Sequence, residues 1–240
     1  MIKFFRKIRQ NLLSEGKTGK YFKYAVGEIV LVVIGILIAL GINNWNTKQH
    51  KSQQEKEALS VILTELESDS KKLIRFRNKE NLIVKNIDAL FQEKLQRGTY
   101  TNDTLEVYLG KALEGSRFNF VTVGYDVLIS GGIDLINDSS LKYEIADYYG
   151  QNILDAERVG NDLYQEWYDE ILPIIRKEAK EWNWSEFLKP KSMDSIFQNR
   201  ELFEILMTNK TNHIDAGKTL TQVLERNENL QNRLRKYLKK

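Results

Sequence analysis

LSVILTELESDSKKLIRFRNKENLIVKNIDAL, residues 59–90, decides the fold. Its apolar residues return every three or four positions: Leu59, Ile62, Leu66, Leu73, Phe76, Ile83, Ile87 and Leu90 fall on heptad positions a and d. That spacing gathers a seam along one face of an α-helix. Asp69 and Glu80 interrupt the seam at two of its positions. Neither Pro nor Gly occurs between residues 52 and 97, and Gly98 closes the run, so one long helix is expected over 52–97. At about 1.5 Å per residue it would extend about 70 Å.

The chain downstream keeps the same period. Asp103 reads as the N-cap of a helix ending at Leu113, residues 116–122 as a connector, and residues 123–130 as a short helix closed by Gly131-Gly132. Asn137-Asp138-Ser139-Ser140 is a helix start. Beyond it Leu141, Ile145, Tyr148, Ala156, Val159, Leu163, Trp167 and Ile174 share a face, with Pro173 marking a kink. After a turn over residues 182–190, a last helix from about 194 to 238 keeps Leu202, Leu206, Ala216, Leu220, Val223, Leu230, Leu234 and Tyr237 in step. No segment shows sustained alternation, and two prolines and 14 glycines in 240 residues leave few breaks for sheet turns. The expected fold class is all-α: one N-terminal transmembrane helix, then a bundle or coiled-coil-like extracytoplasmic domain of long helices. The two long helices at the domain's ends are expected to run antiparallel to the middle one.

Upstream stands YAVGEIVLVVIGILIALGINNWN, residues 24–46. Residues 25–42 hold a single ionisable group, Glu28, and at about 1.5 Å per residue they cover about 27 Å, close to the hydrocarbon thickness of a bilayer. Tyr21, Tyr24 and Trp45 sit where interfacial anchors belong. Seven Lys/Arg precede the span, which predicts a cytoplasmic N-terminus and a translocated C-terminal part. Ala39-Leu40-Gly41 has the small-x-small pattern of a signal-peptidase site. The long polar leader before the span favours an uncleaved signal anchor instead. The division expected is a cytoplasmic arm over 1–23, a transmembrane anchor over 24–46 and a periplasmic helical domain over 47–240. On a helical wheel the arm places Met1, Phe4, Phe5, Ile8 and Leu12 on one face and Lys3, Arg6, Lys7 and Arg9 on the other. It reads either as a helix lying on the anionic cytoplasmic leaflet or as a charged leader without structure.

Charge agrees with that division. The chain carries +3, and its first 23 residues carry +6, from seven Lys/Arg against Glu15. The remaining 217 residues therefore carry −3, which argues against a nucleic-acid-binding body and hence against a nucleic-acid partner.

Within the span, Glu28 reads either as a depth-setting boundary carboxylate or as a proton-carrying or partner-pairing site. Gly35 and Ala39 form a small-xxx-small pair, with Gly27 two turns earlier, a strip that admits another helix closely. A homo-oligomer or a membrane-protein partner is the expectation.

Signs of catalysis are missing. The chain has no Cys and only His50 and His213, the latter at a seam position that suits a core or interface histidine. No phosphate loop, metal-spaced His/Glu set or nucleophile elbow is present. No catalytic residue, cofactor or metal is therefore expected. Tyr125 and Asp126, beside Gly131-Gly132, could line a pocket between helices or serve as packing and capping.

FFRKIRQNLLSEGKTGKYFKYAVGEIVLVVIGILIALGINNWN, residues 4–46, resembles the start of an uncharacterised family of Gram-negative single-pass membrane proteins known as a domain of unknown function. GYDVLISGGIDLINDSSLKYEIADYY, residues 124–149, resembles that family's second recurring stretch. The resemblance implies a bacterial inner-membrane protein with a helical body in the periplasm, and it brings no activity with it. The expected function is a membrane-anchored scaffold or interaction protein without catalysis. The alternatives are a single-span subunit of a proton- or ion-coupled assembly using Glu28, and a ligand-sensing periplasmic module.

Overall fold

A computed structural model of the chain describes residues 18–184 and 186–239. Of the arm expected over residues 1–23, residues 1–17 lie outside the described residues and residues 18–23 are helical, with the side chains of Tyr21 and Tyr24 not described. The fold is all-α, and the chain divides into two compact units, Met1–Glu55 and Lys56–Lys240.

Helix α1, Thr18–Leu95, supplies residues to both units. The expected start at residue 52 is absorbed into it, because residues 43–55, NNWNTKQHKSQQE, offer good helix formers and neither Pro nor Gly. In the first unit every side chain from residue 29 to residue 50 is exposed, and none of its most apolar window is buried. This helix is long and apolar enough to cross a membrane.

The second unit is built on three long helical tracts. After α1 come α2, Asn102–Ala112, and α3, Val123–Gly131, then a 3-10 turn at Ile133–Leu135. The middle tract joins α4 (Ser139–Asp147), a π turn (Tyr148–Ile153), α5 (Leu154–Glu166), a second π turn (Trp167–Ile171) and α6 (Leu172–Glu178). A hairpin of β1 (Ala179–Asn183) and β2 (Phe187–Pro190), a short α7 (Met193–Gln198) and α8 (Arg200–Leu238) complete the chain.

Cross-links fix the directions. From α1 to α8, Glu67 takes a hydrogen bond from Arg235 at 2.7 Å and the Leu66 carbonyl takes one from Asn227 at 3.1 Å. Further along, Glu80 meets His213 and Asp88 pairs with Lys210, so the two helices are antiparallel. From the middle tract to α8, Asp138 pairs with Arg233 at 3.1 Å and Glu166 accepts from Asn212 at 2.8 Å, again antiparallel. The middle tract is therefore parallel to α1, and only α8 runs against it. The expectation that both end helices oppose the middle one is corrected. Residues 96–138, with α2 and α3, carry the chain back to the starting end, which a short loop could not do.

All eight apolar seam residues of α1 are buried, as are Asp69 and Glu80 among them. They join two clusters. One unites residues 59–76 of α1 with the first half of the middle tract and residues 216–234. The other unites residues 83–90 with α2, the second half of the tract and residues 196–206.

Local chemistry sets the ends. Thr101, not Asp103, caps α2, its hydroxyl accepting from Thr104 N at 3.3 Å. Asp138 caps α4 and Asn199 caps α8. The Asn199 cap divides the expected last helix into α7 and α8. The irregularity expected at Pro173 takes the form of the π turn at Trp167–Ile171. The turn contains Asp169, whose carbonyl a proline ring four residues later would strike in a regular helix.

The expected turn at 182–190 folds as an antiparallel hairpin, with Trp182 opposite Leu188 and Asn183 opposite Phe187. Its position depends on Gly110 of α2. A Cβ there would lie 2.4 Å from the Phe187 Cα, so glycine alone lets the strand cross the helix so closely.

Candidate functional site

Two regions collect polar chemistry where apolar residues are the rule. The first is the span. Gly27 and Gly35 have no atom within 4 Å of the place a Cβ would occupy, and Glu28 is partly buried and already engaged. At about 100° per residue, Gly35 and Ala39 fall within about 20° of Glu28, one on each side, whereas Gly27 stands at least about 80° from either. The small-residue strip is thus Glu28–Gly35–Ala39, with Gly27 at its margin. Trp45 is exposed, and Tyr21 and Tyr24 contribute backbone to α1.

The second region is a pair of polar layers across the bundle. Between the two apolar clusters lies Glu80, fully buried. Ser116 Oγ donates to its Oε1 at 2.6 Å and His213 Nδ1 contacts its Oε2. The serine faces the carboxylate, not the imidazole, so the three do not form a nucleophile–base relay. What they do is join α1, the segment after α2 and α8 at a single level. A slip of either helix would strand a buried polar group without its partner, which is how a polar seam residue fixes register.

One layer toward the start of the seam stands Asp69. It is fully buried, and neither carboxylate oxygen has a hydrogen-bond partner. Lys72 Nζ lies 3.5 Å away. Burial pushes its pKa up to about 6, with the nearby Glu65 adding to the rise and Lys72 opposing it. Glu65 accepts from the Gly124 N–H at 2.6 Å and from the Tyr149 hydroxyl at 3.4 Å. Tyr148 accepts from Asn227 Nδ2 at 2.7 Å, and Gln231 donates to Asn227 at 2.6 Å. Burial raises both tyrosine hydroxyls above their ordinary range, and Glu65 adds to the effect at Tyr149.

Tyr125 stacks on Tyr149, centroids 4.6 Å apart, and Asp126 accepts from Thr122 Oγ1 at 3.1 Å. Tyr125 thus packs against the tyrosine that donates to Glu65, and Asp126 holds the Thr122 hydroxyl one turn before it. Among the described residues no group of three or more His, Asp or Glu is placed to hold a metal ion.

A protein-family model matches residues 28–200 of the chain. The protein belongs to the DUF6090 family, a family of unknown function. No curated protein and no solved structure matches it. The DUF6090 match takes in the Glu28–Gly35–Ala39 strip, Asp69, Glu80 and the tyrosines of the middle tract. Within this DUF6090 chain, the unusual positions of Asp69 and Glu80 were visible as charges on an apolar seam. Ser116, Asn227 and Gln231 carried no such mark, because their partners come from other elements.

Glu93 is a further buried acid that spacing missed. Its carboxylate accepts from the N–H groups of Gly98, Thr99 and Tyr100 at 2.8 to 3.1 Å and so shapes the exit from α1. Burial pushes its pKa up, but the three backbone donors together outweigh it and hold the group low.

Proposed function

We propose that this protein is a membrane-anchored interaction protein without catalytic activity, whose single span associates with another span through Glu28, Gly35 and Ala39. The observation that carries the reading is the alignment of those three residues on a helix whose apolar surface is exposed all round. Small residues let two backbones approach, and a carboxylate facing the same way gives the contact a polar partner to select. In this reading the anchor lies in a bacterial inner membrane with its N-terminus cytoplasmic, and the basic arm adds attraction to anionic lipid. The bundle then works in the periplasm as the scaffold, in a homo-oligomer or with a membrane-protein partner. The same carboxylate favours a second reading, a subunit of a proton- or ion-coupled assembly.

The absence of cysteine permits a clean test. Single cysteines placed in turn from residue 29 to residue 42 are oxidised in native membranes. Cross-linking that peaks near 35 and 39 supports the strip as a self-contact. Cross-linking without periodicity, together with a monomeric mass after gentle extraction and no co-purifying partner, rejects the proposal. Glu28→Gln separates the readings: unchanged assembly and unchanged ion flux leave only the depth-setting role.

A further inference from the structure

Between the start of the middle tract and α8 runs a groove of about 840 Å³. One wall carries Tyr143, Glu144, Asp147 and Asn152, the other carries Arg226, and Tyr148 and Leu230 lie buried at the base. Most charges in the neighbourhood are consumed. Arg233 takes Asp138, Glu144 and the Ser140 hydroxyl together. Asn227 already donates to the Tyr148 hydroxyl.

Two charges are not neutralised by a partner of opposite sign. Arg226 is exposed and makes no ion pair with any described residue, and Asp147 accepts only from the Asn152 amide at 3.1 Å. They face one groove without pairing with each other, leaving a cationic wall opposite an anionic one. Tyr143, 73% exposed, holds a whole aromatic ring in water beside this slot.

The backbone here is also unusual. The π turn at Tyr148–Ile153 lets two consecutive tyrosines, Tyr148 and Tyr149, both point inward, which a regular turn does not favour. It leaves the Asp147 carbonyl to be capped by the Asn152 side chain at 3.1 Å. Single π turns are frequent at functional sites, and no proline four residues on accounts for this one.

We propose that this groove binds a small zwitterion carrying both an ammonium and a carboxylate, of the kind found in free amino acids and short peptides. The carboxylate takes the Arg226 guanidinium, a planar donor suited to it. The ammonium takes Asp147, and Tyr143 covers the ligand's apolar part. This site stands independently of whether the span self-associates.

The test uses full-length protein in lipid nanodiscs, with calorimetry against a panel of free amino acids and dipeptides. Each binder is repeated with its amine acetylated and with its carboxylate amidated. The expected result is saturable binding that weakens about tenfold or more when either end is capped, since each cap removes a charge-assisted contact. Arg226→Gln abolishes the advantage of the free carboxylate, and Asp147→Asn that of the free amine. Both residues are exposed, so the melting curves of both variants should match that of the unaltered protein. Tighter binding of dipeptides than of amino acids assigns peptide ends, and the reverse assigns single amino acids. Absence of binding across the panel, or binding that survives both substitutions, overturns the proposal.

Discussion

Asp69→Asn tests the physical account of the seam most directly. The position is fully buried, and its carboxylate has no hydrogen bond to repay dehydration. Its pKa in the folded protein is raised to about 6 from an ordinary 3.8. A raised acid holds its proton more tightly in the folded state than in the unfolded one. Its neutral form therefore contributes stability that is fully present below about pH 4 and is lost as pH rises through about 6. The rise is equivalent to about 3 kcal/mol at full weight. Lys72, with its side chain a quarter exposed, keeps the pair in touch with water, and screening brings the expectation to about 2 kcal/mol. The asparagine cannot ionise and escapes that loss. Urea unfolding of the full-length protein in nanodiscs, followed by circular dichroism between pH 4 and pH 8, reads the difference. Relative to the original protein, Asp69→Asn should gain about 2 kcal/mol across that range, most of it between pH 4 and pH 6, the interval between the unfolded and folded pKa values. Parallel stability curves for the two proteins would show that Asp69 titrates normally, and the reasoning would fail.

Other perturbations follow from the same geometry. His213→Ala leaves the buried Glu80 side chain without its α8 hydrogen-bond partner and should cost about 1–3 kcal/mol. Replacing Glu80 and His213 together with leucine or methionine should restore most of that loss, as seen in the same unfolding assay. Gly110→Ala forces a methyl group against the Phe187 backbone. It should destabilise the bundle by about 1–3 kcal/mol and shift the fluorescence of Trp182 and Trp184, which the hairpin carries next to it. Gly35→Leu should lower cross-linking through the span and leave the melting of the bundle unchanged, and a bundle that melts earlier would contradict the separation of roles.

How much of this was legible depends on whether the determinant was local. Leu59 through Leu90 announced their burial because a heptad seam is a property of neighbours along one helix, and the charges at Asp69 and Glu80 were conspicuous against it. Their partners were not. Ser116 lies 36 residues from Glu80 and His213 lies 133 residues away, so no spacing rule joins them. The cap of α2 was misplaced by two residues because Thr101, Asn102 and Asp103 are all competent capping residues. The hairpin escaped notice because its strands carry no alternation. It exists by virtue of the path that Gly110 opens, which is a tertiary cause. The direction of the middle tract was likewise hidden, since it depends on where residues 96–138 carry the chain and not on the period of either helix. Among the candidate site residues, Gly35 and Ala39 were singled out by residue type, whereas the better alignment of Glu28 over Gly27 emerged from the angular arithmetic of a continuous helix.

The opposed pairing of α1 and α8 also sets a clock on the protein's biogenesis. The contacts that close the bundle join residues separated by 161 to 168 positions, from Leu66 and Glu67 to Asn227, Gln231 and Arg235. At ordinary rates of synthesis that interval lasts on the order of ten to thirty seconds. Until α8 emerges, the seam of α1 has lost water-free company on one side, with Asp69 and Glu80 as the only charges punctuating its apolar face. Non-local closure of this kind slows folding and leaves an adhesive surface open meanwhile. Asp69, costly in the finished bundle, and Glu80 interrupt that surface, and polar side chains on an exposed apolar face should make the waiting helix less prone to pair with the wrong neighbour.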